Sequence, residues 1–280
     1  VVTRDGKQTY VIGAELRIGT DDGCDTYFQV GNAAVTEPEI VMQGALVVMI
    51  SRATKAVNRL TVGDPVQPDI RPVLRLAPKT SLLVGAVPDA EPGGLTISGM
   101  TIGAAYGAEA GIYHSRLTCA QSDQDFERCW LKGRVIELRD THVSRAANGV
   151  YVVSERAPVV AGCVFEDCGI GLHHFFGGEK NARTKIAECV FRRCRTALQT
   201  PNRVVFERCS FEENQIHWIT GDQFQWIAFL DCRMDESRHP NRTGGLKSAA
   251  RRKGWDSLVF MQNTLPINVA DKNGAAVPGA

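Results

Sequence analysis

The strongest constraint on this chain is a self-similarity between residues 141 and 241. Four ten-residue pieces align beneath one another: THVSRAANGV from Thr141, CVFEDCGIGL from Cys163, CVFRRCRTAL from Cys189 and CSFEENQIHW from Cys209. A fifth, CRMDESRHPN from Cys232, starts in step and then diverges. In the first four pieces the third residue is apolar (Val143, Phe165, Phe191, Phe211), and so is the tenth (Val150, Leu172, Leu198, Trp218). The sixth is small or polar (Ala146, Cys168, Cys194, Asn214). Three residues before each start stands another apolar side chain: Leu138, Val160, Ile186, Phe206 and Phe229. The starts lie 22, 26, 20 and 23 residues apart. Such a period implies a solenoid, in which each repeat buries its apolar residues only against its neighbours.

The charges follow the same columns. Position five reads Arg145, Asp167, Arg193, Glu213, Glu236, and position four reads Ser144, Glu166, Arg192, Glu212, Asp235. Rungs of a β-solenoid stack ~4.8 Å apart, so opposite charges on successive rungs attract and like charges repel. Each pair adds a few tenths of a kcal/mol. These carboxylates and guanidiniums are therefore read as a structural ladder rather than as catalytic groups.

Composition excludes several classes. With 32 basic and 31 acidic residues, no global field recruits nucleic acid or an anionic membrane surface. No apolar run approaches the ~20 residues of a membrane span. The nine cysteines are an odd number, and five of them occupy core-like repeat positions, where a thiol acts as a small hydrophobe. The CxxxxC pairs at 163/168 and 189/194 lack the short spacings of zinc sites, so neither metal nor cofactor is expected.

The flanks differ from the repeat. Residues 1–94 read as an N-terminal β-rich cap with the first coils, and IVMQGALVVMI (40–50) reads as one strand buried on both faces. Residues 63–94 are rich in proline and suggest a pause with short strands. The repeat region proper is taken as 95–241, with LTISGMTIG (95–103) as an irregular early rung; FERCWLKG (126–133) has no clear register. Residues 242–262 form a basic, flexible segment. The ending at 263–280, with DKNG followed by VPGA, resembles the start of a carboxypeptidase regulatory-like β-sandwich module. That resemblance implies a piece of a multidomain extracellular protein.

The unit C-x-F-x-x-(C/N)-x-x-(G/A)-(I/L), at 163–172 and 189–198, resembles the coil of right-handed parallel β-helices of the pectate-lyase-like fold. The resemblance implies an all-β, right-handed parallel β-helix with an N-terminal capping β region. It also implies Asn stacking at a tight bend, a place that Asn214 fits. The polygalacturonase set (NTD, DD, GHG, RIK) is not present in usable form, and no paired Asp columns suggest a calcium-dependent lyase.

The longest interruption of the repeat is HHFFGGEKNARTK, residues 173–185, expected as a loop. Lyase chemistry on a uronate needs a base, which His173 or His174 would supply, and a cation, which Lys180 or Arg183 would supply. Phe175, Phe176 and Trp218 would stack on sugar faces. Against this stands the reading of a decorated surface loop. The expected function is a secreted or cell-surface β-helix module serving as a scaffold, an assembly unit with itself or other domains, or a glycan-binding face. A polysaccharide lyase using the 173–185 loop is the competing expectation.

Overall fold

A computed structural model describes residues 2–4, 7–13, 16–18, 26–42, 46–49, 58–76, 81–86, 108–119, 128–133, 135–154, 157–176, 184–200, 204–220, 226–235 and 258–262. The expected early rung at 95–103, most of the basic segment and the ending at 263–280 lie outside them.

The described chain is all β and forms three sheets of 10, 9 and 8 strands, here called A, C and B. Each coil contributes one strand to each sheet in the order C, A, B. One coil consists of Thr184–Ala187, Val190–Arg192 and Thr196–Thr200, and the next begins at Val204–Glu207. Strands from successive coils pair in parallel, in register. This is a parallel β-helix. Among the described strand pairs only Val2–Arg4 with Lys7–Ile12 is antiparallel, and it places Val2–Arg4 on the outermost edge of sheet A. A strand of three residues there leaves only a short edge open to further pairing.

The repeat columns become the core. Leu138, Val160, Ile186, Phe206 and Phe229 point inward from sheet C. Val143, Phe165, Phe191 and Phe211 point inward from sheet A, and Val150, Leu172, Leu198 and Trp218 from sheet B; all are buried. The aromatic columns stack coil on coil: Phe165–Phe191 at 4.9 Å and Phe191–Phe211 at 5.0 Å, with planes 9° and 11° apart. Parallel in-register pairing makes this offset stacking unavoidable, and it adds to burial.

Among the described residues two kinds of corner recur, C to A and A to B, and both use a left-handed residue. Between sheets C and A this residue is His114, Asp140, Gly162, Glu188, Arg208 or Asp231, and between A and B it is Arg145, Asp167, Arg193 or Glu213. The inward thiol column Cys163, Cys189, Cys209 and Cys232 follows the first corner; Ala146, Cys168, Cys194 and Asn214 follow the second. The left-handed conformation costs roughly 1–2 kcal/mol for a residue with a Cβ. It is offset because most of these corner N–H groups donate to a carbonyl of the next coil, as from Asp167 to Arg192 (3.1 Å) and Arg193 to Glu212 (3.0 Å), while that of Glu213 donates to the Asp235 carboxylate. The ladder therefore continues through these bends.

The position-five charges at 145, 167, 193 and 213 are these corner residues, and Arg193 and Asp167 meet across coils as the sequence implies. Arg193 Nε lies 2.8 Å from Asp167 Oδ1, and the Arg193 guanidinium also reaches Glu166. Arg192 Nε lies 2.8 Å from Glu166 Oε1, off the line of a hydrogen bond, so that contact is charge on charge.

One strand expectation is corrected. IVMQGALVVMI is not one strand: Glu39–Met42 belongs to sheet A and Leu46–Met49 to sheet B, so the apolar run spans a corner. The stretch FERCWLKG, without a clear register in the sequence, gains one. Its strand, Arg128–Gly133, closes a coil on sheet B, and Val135–Arg139 opens the next on sheet C. That explains the short spacing to Thr141.

Candidate functional site

Six successive C-to-A corners, from 114–115 to 231–232, are two residues long. The two before them are not. After Thr26–Val30 the chain runs through 31–38 before sheet A resumes, and after Asn58–Val62 it runs through 63–72. The two long corners stack on each other, with Arg71 N donating to Thr36 O (2.7 Å) and Val73 N to Pro38 O (2.9 Å). Each is locked from within. Asn32 Oδ1 accepts from the Ala34 and Val35 amides, and Asp64 Oδ1 from the Val66 and Gln67 amides. Ile70 is buried beneath them.

Where the long corners give way to short ones, they overhang the next coils as a ledge. Beneath it lies a cleft of about 510 Å³, lined by Glu37, Pro68, Arg71, Val73, His114, Ser115, Arg116, Asp140 and His142. Strand register sets the floor: Val73, Arg116 and His142 occupy one row on the outer face of sheet A, on consecutive coils. His114 and Asp140 occupy one corner position on consecutive coils.

Both imidazoles are held by carboxylates. His114 Nδ1 lies 3.4 Å from Asp140 Oδ2. His142 Nε2 lies 2.8 Å from Glu166 Oε2, on the coil behind. Gly162 makes room for the first pair, since a Cβ there would fall 2.1 Å from Asp140 Oδ1. Burial alone would raise the Glu166 carboxyl; the Arg192 and Arg193 guanidiniums and the His142 hydrogen bond outweigh it and bring it down to about 2. Glu166 is thus an anion that fixes the His142 ring. Arg71 Nε donates to Pro68 O (2.8 Å), tying that guanidinium to the ledge. Arg116 is exposed, and its guanidinium has no ion pair or hydrogen bond among the described residues. Ser115, His114 and Asp140 are not a nucleophilic triad, because the Ser115 hydroxyl is buried and donates to Tyr113 O at 2.6 Å.

The residues singled out from the sequence lie elsewhere. His173, His174, Phe175 and Phe176 are not in a loop: they are the second half of the strand Ile170–Phe176 in sheet B. His173 is half-buried, and burial pushes its imidazole down to about 4, which makes it a weak base. Trp218 does not offer a sugar-stacking face: it is 6% exposed and packs on Phe229 at 5.0 Å. Lys180 and Arg183 lie outside the described residues. The cleft was missed because its groups are scattered from 37 to 142, and none belongs to a short motif. The one available signal was the proline-rich stretch from 63, a long connection where later coils have none.

The fold defines the class, a parallel β-helix whose one described cleft sits under a ledge. No protein-family model, curated protein or solved structure matches the chain.

Proposed function

We propose that this β-helix is a rigid scaffold of an extracellular or cell-surface protein that binds a glycan through the ledge cleft. The observation that carries the reading is the cleft's lining. Guanidinium, imidazole and carboxylate groups from four coils converge on a floor held by backbone ladders, with side chains that bridge coils. Planar donors and acceptors of this kind match pairs of sugar hydroxyls, and a fixed frame lowers the ordering cost of binding. The solenoid supplies reach and stiffness for assembly with itself or with other domains of a longer protein. Screening the full chain against immobilised glycans tests the reading, with Arg116→Ala and His114→Ala as paired controls. Retained glycan capture in both variants, with native circular dichroism, would refute it.

A carbohydrate-active enzyme is the second reading, and one observation favours it: the His114–Asp140 pair near Arg116 places a base and a cation together. Incubation with uronate polymers, followed by absorbance of unsaturated products, separates the two. Scaffold binding predicts no product, and product abolished by His114→Ala would establish the enzyme.

A further inference from the structure

Resting on the reading that the ledge cleft is a ligand site, we infer that the group it takes is an oxyanion: a carboxylate, sulfate or phosphate, held between Arg116, Arg71 and the open edges of His114 and His142. Each carboxylate that touches an imidazole here is already engaged. Asp140 faces His114, and Glu166 is shared by His142, Arg192 and Arg193. Glu37 stands on the opposite wall with the ledge. What remains uncompensated on the floor is cationic: Arg116 with its five donors, in register beside His142, on rungs ~4.8 Å apart.

Both rings use one nitrogen on a carboxylate and leave the other, His114 Nε2 and His142 Nδ1, without a bond to any described residue. The Arg116 guanidinium fork matches the several lone pairs of an oxyanion better than a neutral hydroxyl, and each outward imidazole nitrogen joins it as a donor only with both ring nitrogens protonated. A neutral sugar would leave the Arg116 charge desolvated and unpaired, which is unfavourable. Gly162 acts as a positioning residue, since any Cβ there would push Asp140 off His114.

The test is calorimetric titration of the full chain with inorganic phosphate, inorganic sulfate and glucuronate, with glucose as the neutral control. Saturable binding is expected for at least one oxyanion and none for glucose. Arg116→Gln is expected to weaken it about tenfold or more, and Arg116→Lys by less, because charge is kept but the fork is lost. Arg195→Gln, an exposed corner-side residue outside the cleft, leaves it unchanged. Binding that survives Arg116→Gln, or no saturable oxyanion binding, overturns the inference. If a neutral glycan still binds in an Arg116-dependent way, only the oxyanion assignment fails. If nothing binds, the glycan reading falls with it. Binding of free phosphate without glucuronate keeps the oxyanion and discards the sugar as its carrier.

Discussion

Asn214 should be worth more to this fold than any other polar side chain in the stack. It is fully buried at the second corner, where the preceding coils carry Cys194, Cys168 and Ala146. Its Oδ1 accepts from the Cys194 amide (2.9 Å), and its Nδ2 donates to Phe191 O (2.8 Å), both on the coil before. The same Nδ2 lies 3.3 Å from His217 Nδ1, while His217 Nε2 lies 2.9 Å from Asp235 O on the coil after. These contacts put the ring proton on Nε2 and leave Nδ1 as the acceptor. One amide thus links three coils. Asn214→Ala strands at least the Cys194 N–H and His217 Nδ1 in a buried site, at about 1–3 kcal/mol each, so a loss of about 2–5 kcal/mol is expected. Asn214→Cys should lose about 1–2 kcal/mol less, because thiols serve this role elsewhere: Cys209 Sγ lies 3.4 Å from the Cys189 amide, and Cys194 Sγ donates to Phe165 O. Urea unfolding followed by tryptophan fluorescence gives both values, with equal m-values as the check that the unfolded state is unchanged. An Asn214→Ala protein within 1 kcal/mol of wild type, or a cysteine variant no better than the alanine one, would refute the reasoning.

Other expectations follow from the same geometry. His173 is held low by burial, so the unfolded chain takes its proton first. Stability from this group is full above about 6.5 and is lost as pH falls to about 4, and His173→Gln should flatten urea midpoints across that window. Glu166 acts lower. Its folded carboxyl stays ionised to about 2, so its contribution is intact above about 4.5 and disappears between there and 2. The ceiling of about 3 kcal/mol shrinks to about 1–2 because Arg192 and Arg193 are 39% and 43% exposed, and Glu166→Gln should remove that acid-sensitive step. At the left-handed corner Glu213, glycine relieves the Cβ clash while valine sharpens it. Glu213→Gly should match or exceed wild type in thermal midpoint, and Glu213→Val should fall about 1–2 kcal/mol below. Phe191→Ala opens the middle of the ring column and should cost about 3–5 kcal/mol by urea titration.

Much of this architecture was legible because parallel in-register stacking copies a position from coil to coil. Leu138 through Phe229 and Val143 through Phe211 could be read as columns before any strand was known, and the alternating Asp167 and Arg193 as a ladder. The left-handed corners were not legible. Glu and Arg are not the residues one expects there, and they are tolerated because the hydrogen bond of the corner N–H to the next coil and the ion pairs compensate. The boundary between Met42 and Leu46 was hidden because apolar residues continue around the bend. The cleft was hidden for a different reason: His114, Arg116, Asp140 and His142 come together only through the coil period, and the ledge above them breaks that period. Trp218 misled because an aromatic at a sheet position looks the same in sequence whether it faces sugar or core.

The alternation of charge at the second corner imposes parity on the molecule. Arg145, Asp167, Arg193 and Glu213 change sign at every coil. Excising one coil would bring like charges together, Arg145 against Arg193 or Asp167 against Glu213. Excising residues 163–208 removes two coils, joins Gly162 to Cys209, and sets Arg145 beside Glu213 with Val143 beneath Phe211. The chain would be shorter by about 10 Å with its ladder still matched. Solenoids of this design should gain or shed length in pairs of turns, so that electrostatics acts as a reading frame for growth.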